Sequence, residues 1–212
     1  MPTPNIVRDA NRLVFGDLSH ITCFSSFQKA IFDGMRRGYD QYVLDFRDTN
    51  RVFPDAVVPI AAYLDLHKHE GLEFEVKSQT PVLVKSRFMS PITVNSAGNR
   101  EKISPISTVW KFDQAGEVGE IVSLFVNAFS THHACATGVL ESFEWCLNEV
   151  MDNVLQHSNG SPGFVMMQIH RNTERVAICI ADYGQGLLQS LRGSKYQPTT
   201  SLDALPLRLN QA

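Results

Sequence analysis

Apolar positions in the first part of the chain switch repeatedly between a period of two and a period of three to four. LVFGDL (13–18) reads as a short strand. SSFQKAIFDGMRRG (25–38) places Phe27, Ile31 and Met35 on one helical face, with Gly38 as its stop. YVLDF (42–46) is rich in β-formers. VVPIAAYLDLHKHEG (57–71) reads as a second helix, with Pro59 near its first turn and Gly71 at its end. LEFEVKS (72–78) alternates cleanly as a strand. This β-α-β-α-β order predicts a small α/β unit.

From Thr80 to Ile106 the pattern dissolves into prolines, serines and asparagines, with only short strand-like pieces such as PVLVK (81–85). A connecting segment is expected there, with a domain boundary near residue 100 and units at 1–100 and 101–212. The second unit opens on the strand STVWKF (107–112). The helix EVGEIVSLFVNAFSTH (117–132) follows, with Val118, Ile121, Leu124, Phe125 and Phe129 on one face. A longer helix is expected over 137–157, with Val139, Phe143, Cys146, Leu147, Val150 and Val154 as its packing face. GFVMMQIHR (163–171) and RVAICIADY (175–183), joined by NTE, read as an antiparallel hairpin. GQGLLQSLRG begins a loop or helix, the tail is weakly patterned, and no internal repeat is visible.

Composition narrows the classes. With 212 residues, 43% hydrophobic and 19% charged, the chain fits a soluble globular protein of one large or two small domains. A net charge of -3 without any Lys/Arg block gives no case for nucleic acid. No apolar run approaches the roughly 20 residues of a membrane helix, and MPTPNIVRDANRL lacks a signal-peptide design. The four cysteines show no CxxC spacing, so a reducing, cytoplasmic location is expected, with Cys146 and Cys179 as small buried hydrophobes.

Two stretches are not what a packed core asks for. In CLNEVMDNVLQHS, Glu149, Asn153 and His157 recur every fourth residue, so they share one slowly drifting helical stripe. In ICIADYGQGL, an apolar strand runs into Asp182-Tyr183-Gly184-Gln185-Gly186. Two glycines spaced by one suit a tight bend, or a backbone that a ligand approaches closely. Taken singly, the first is an ordinary solvent-facing stripe and the second an ordinary turn.

In this order, with a hairpin between them, the two resemble the GHKL family of ATP-binding domains, which includes histidine-kinase catalytic domains and anti-sigma-factor kinases. Glu149-Val-Met-Asp-Asn153 matches its N-box and Asp182-Tyr-Gly184-Gln-Gly186 its first glycine box; the resemblance spans about 107–200. It implies a two-layer α/β sandwich of the Bergerat type that binds ATP and Mg²⁺. Asn153 would then be the metal ligand and Glu149 the general base. Asp182 would be a buried acceptor for the adenine amino group, and Gly184 and Gly186 would line the nucleotide. His157 is expected to cap or pack rather than touch the ligand. The family's lid and later glycine box find no match before Ala212, so this domain is expected to be incomplete at its C-terminal end. A second copy, in a homodimer, can complete it.

The first unit resembles STAS domains, through YVLDFRD, a loop, the helix from Val57 and LEFEV. That family often phosphorylates a serine in the loop; here the loop, 49–56, has none. The combined expectation is an ATP-binding signalling protein, an ATPase or a protein kinase of the anti-sigma type, with a protein partner. The alternative is a non-catalytic interaction module on the same fold. A Rossmann site fails because Gln189 stands at the third glycine. Gly193-Ser-Lys195 lacks the upstream glycine of a Walker A loop. His132-His133 reads as a helix end rather than a metal pair, and His67 and His69 as an exposed helix terminus.

Overall fold

The computed structural model describes residues 6–95, 103–132, 134–170, 175–186, 189 and 199–200. These form a mixed α/β structure with two sheets and, among the described residues, five helices. The expected boundary near residue 100, His133, Gly193–Lys195 and the tail lie outside the described residues.

The first sheet has the order β1-β2-β3-β4. β1 (Ile6–Asp9) and β2 (Arg12–Phe15) pair antiparallel; β3 (Gln41–Asp45) and β4 (Glu73–Ser78) continue in parallel. The crossovers are α1 (Thr22–Met35) and α2 (Pro54–His69). β1 has no strand signature in the sequence, because IVRD is short and half polar. α2 begins three residues earlier than its pattern suggested: Pro54 takes the first-turn position, where the lost N–H is harmless, and Pro59 lies inside the helix.

Further along the chain, β5 (Trp110–Phe112), β6 (Gly163–His170) and β7 (Arg175–Asp182) form an antiparallel sheet in that order. β6 and β7 are the expected hairpin, with Gly163 opposite Asp182 and His170 opposite Arg175. α4 (Ala115–His132) and α5 (Val139–His157) cover one face. The stretch PVLVK is helical rather than extended: α3 (Pro81–Ser86) starts on a proline after an extended Thr80, a favoured helix entry that outweighs its β-branched valines.

β6 explains how the two sheets are joined. Phe164 and Met166 pack into the cluster built by α1, α2 and the first sheet, whereas Val165 and Met167 pack against α4 and α5. Alternation along a strand thus serves two cores at once. α2 lies between the sheets, so it is apolar around its circumference: Ala56, Val57, Val58, Ile60, Ala61, Ala62 and Leu64 are all buried. His67, expected to be exposed, is buried against the Tyr63 ring at 4.2 Å, because the turn it occupies faces the same interior.

Two other expectations need correction. On α5 only Leu147 and Met151 are buried; Val139, Cys146 and Val150 are exposed, so the packing stripe is rotated from the one inferred. Cys146 is therefore a surface thiol. Cys179 is half-buried, and burial, aided by the charge of Asp55, pushes its thiol up to about 11.

Polar design around the first sheet centres on Asp45 at the end of β3, fully buried and held by Arg12 and by Arg47 Nη2 at 2.7 Å. The Arg47 hydrogen bonds, and then those of Arg12, hold its carboxyl well below the usual range against the opposing effect of burial. A depressed folded value stabilises above the unfolded carboxylate range and loses that contribution as pH falls through it. Asp45→Asn should cost about 2–3 kcal/mol at neutral pH, with the gap from wild type narrowing below about pH 4 in urea titrations.

Phe164→Ala should cost about 3–5 kcal/mol. Because the sheets share α2, fluorescence of the buried Trp110 and far-UV circular dichroism should report one coincident unfolding transition; two separated transitions would refute the shared core.

Candidate functional site

The two stretches that stood out in the sequence are brought together. β7 ends at Asp182, and the loop that follows lies against the C-terminal end of α5. A Cβ at residue 184 would overlap the backbone of Ser158, lying 2.5 Å from its Cα, so only glycine lets the loop approach this closely. Gln185 Nε2 donates to the His157 carbonyl at 3.1 Å, taking up one of the helix's terminal acceptors. Gly186 has φ +68, the left-handed region that favours glycine. Ser158 is buried, and its hydroxyl donates to the Ser161 carbonyl at 2.7 Å, which fixes the helix end that the loop rests on.

Asp182 is exposed at the strand terminus rather than buried, because it stands opposite Gly163 at the sheet's end. Its Oδ1 accepts the Gly184 N–H at 2.8 Å, a turn that shapes the loop. Glu149 and Asn153 are both exposed on α5, one turn apart, and Asn153 Nδ2 donates to the Glu149 carbonyl at 2.7 Å. His157, half-buried, contributes its backbone carbonyl to the loop.

The partner of the loop's remaining residue was not legible in the sequence. Tyr183 OH donates to Asp65 Oδ2 on α2 at 2.9 Å, across 118 positions of sequence. Burial and the neighbouring Asp65 carboxylate both raise the Tyr183 hydroxyl above its ordinary value, so it remains a donor. Lys111 completes the cluster, donating to the same carboxylate at 3.0 and 2.9 Å. Separation along the chain hides such a trio; the only local sign was a tyrosine inside the glycine loop.

Other candidates resolve as structure. His132 ends α4, its Nδ1 2.7 Å from the Ala128 carbonyl, and His69 sits likewise beside the Asp65 carbonyl. Among the described residues no group of three or more His, Cys, Asp or Glu side chains could hold a metal by itself. Thr49, in the loop before α2, is fully buried, with its hydroxyl donating to the Gly16 carbonyl at 2.8 Å. It is not presented for modification. A cleft of about 260 Å³ lies near Val52, Phe53, Gln168 and His170, at the opposite end of β6 from Asp182. None of the motif residues lines it.

Compared with protein-family models, curated proteins and solved structures, the chain has no match among any of the three. The loop–helix contact is best tested directly. Gly184→Ala should separate the loop from Ser158 and lower stability by about 1–3 kcal/mol in chemical denaturation, whereas an alanine at Gly119, where a Cβ meets nothing, should cost little or nothing.

Proposed function

We propose that this chain binds an adenine nucleotide with Mg²⁺, as a regulatory module akin to the GHKL proteins, with a STAS-like first unit that meets a protein partner. One observation carries the reading. The glycine loop after Asp182 packs on the C-terminal end of the helix that bears Glu149 and Asn153, so two stretches far apart in sequence meet there. Each stretch carries an acceptor oxygen that suits part of a nucleotide. Asp182 has one carboxylate oxygen engaged by the Gly184 amide, and among the described residues its second oxygen has no partner. A carboxylate oxygen in that state suits an exocyclic amine.

Asn153 offers a matching group for the metal. Asn153 commits its amide nitrogen to the Glu149 carbonyl, which leaves Oδ1 as the atom for a hard cation. Mg²⁺ takes oxygen ligands, keeps several waters and is commonly bound through one or two protein groups plus phosphates. When bound it would neutralise phosphate charge. The chain's own residues would do the rest: Asn153 would hold the ion, Asp182 would orient the base, and Glu149, one turn from Asn153, would accept a proton from an incoming hydroxyl or water. Gly184 and Gly186 would keep the loop backbone low against the helix. Binding is placed ahead of turnover in this reading, and a cytoplasmic location and a homodimer belong to the same proposal.

A second reading, an interaction module without turnover, is favoured by the face of α5. Trp145 is 64% and Val150 49% exposed on the helix that carries Glu149, and such apolar surface suits a protein contact.

Calorimetric titration with ATP and Mg²⁺ separates the two. The nucleotide reading predicts saturable binding that falls about tenfold or more in Asp182→Asn and in Asn153→Ala, both exposed positions that should leave the fold intact. Glu149→Ala should retain affinity while abolishing any phosphate release. A folded wild type that takes up no nucleotide would defeat the first reading and leave the second.

A further inference from the structure

We infer that Asp65, on the helix shared by both sheets, is a positioning residue for the 182–186 loop, through which the first unit sets the geometry of the nucleotide surface. The inference rests on the nucleotide reading for its functional consequence, while the positioning itself stands on geometry. Tyr183 lies between Asp182 and Gly184, so whatever fixes its ring fixes the loop's direction of departure from β7. Its hydroxyl donates to Asp65 Oδ2 at 2.9 Å, and its ring lies 6.1 Å from that of the fully buried Phe164.

Asp65 is itself held. Lys111 Nζ donates to both of its oxygens, at 3.0 and 2.9 Å, and sits 5.5 Å from the Phe164 ring centroid. His69 Nδ1 lies 3.7 Å from Oδ2. The Asp65 side chain is only 18% exposed, a setting in which hydrogen bonds to a charged group are stronger than at the surface. The loop is therefore pinned on two sides. Tyr183 ties it to α2, and Gly184 and Gln185 tie it to α5. No part of Asp65 needs to touch a nucleotide for its loss to be felt.

Tyr183→Phe is the sharpest test, since it removes one hydroxyl and keeps the ring. The Gly184 amide, protected by Asp182 Oδ1 at 2.8 Å, is the reporter. In the nucleotide-free protein its hydrogen exchange should quicken about tenfold in Tyr183→Phe and in Asp65→Ala, with amides in α4 unchanged. The double variant should be no faster than either single one, because both remove the same tether. Affinity for Mg·ATP should fall about five- to tenfold in each variant. Unchanged exchange at Gly184 in a stably folded Tyr183→Phe would overturn the inference. A wild type that fails to bind Mg·ATP would instead remove the nucleotide reading, with the exchange result still deciding whether Asp65 positions the loop.

Discussion

Everything in this molecule depends on a helix that has no solvent side to spare. α2 is covered by the first sheet on one side and by β6 and β7 on the other, so its middle turns hold only alanine, valine, isoleucine and leucine where packing is closest. Each large aliphatic side chain buried there contributes about 1.5–3 kcal/mol relative to exposure. That demand also fixes where polarity is permitted. Asp65 and His67 appear only towards the C-terminal end, and each is matched to a partner: Asp65 to Lys111 and Tyr183, and His67 Nδ1 to Glu70 at 2.6 Å.

The consequence for the candidate site is mechanical. The loop after β7 leaves the sheet under three constraints: a hydrogen bond to α2, a backbone approach to α5 that excludes a Cβ, and a left-handed glycine at Gly186. The loop thereby acquires a defined seat on the end of α5, although Asp182 itself is exposed. Groups that are exposed yet held from behind suit a binding surface, because the ligand meets a preformed arrangement and less ordering is needed on binding. The same framework leaves a large share of α5 uncovered, and there the exposed Trp145 and Val150 adjoin Glu149.

Much of this architecture was legible in the residues. Period-two and period-four patterns located α1, β3, α2, β4, α4, α5 and the β6–β7 hairpin, because each has a clear apolar face or a run of β-formers. The departures have separate causes. α3 was misread because a proline entry outweighed valines, and the α5 stripe was rotated because six apolar candidates compete for a face where only Leu147 and Met151 are buried. His67 reads as an exposed helix end because nothing local reveals that α2 has a second sheet over it. The paired motifs were visible as spacing, and Gly184 as a demand for closeness. What the glycine is close to, and the Asp65–Tyr183 tether, depend on contacts between distant segments and leave no local pattern.

The proposal stands or falls on whether the Asp182 loop and the Glu149–Asn153 stretch of α5 take up one nucleotide together. Mn²⁺ accepts the same oxygen ligands as Mg²⁺ and broadens nearby nuclear resonances, so Mn·ATP titrated into labelled protein tests the claim most directly. A shared site should give selective broadening of the amide signals of Asn153 and of the loop from Asp182 to Gly186, reversed by excess Mg·ATP. Broadening confined to the cleft near Val52, Phe53 and His170, or none at saturating nucleotide, would contradict it.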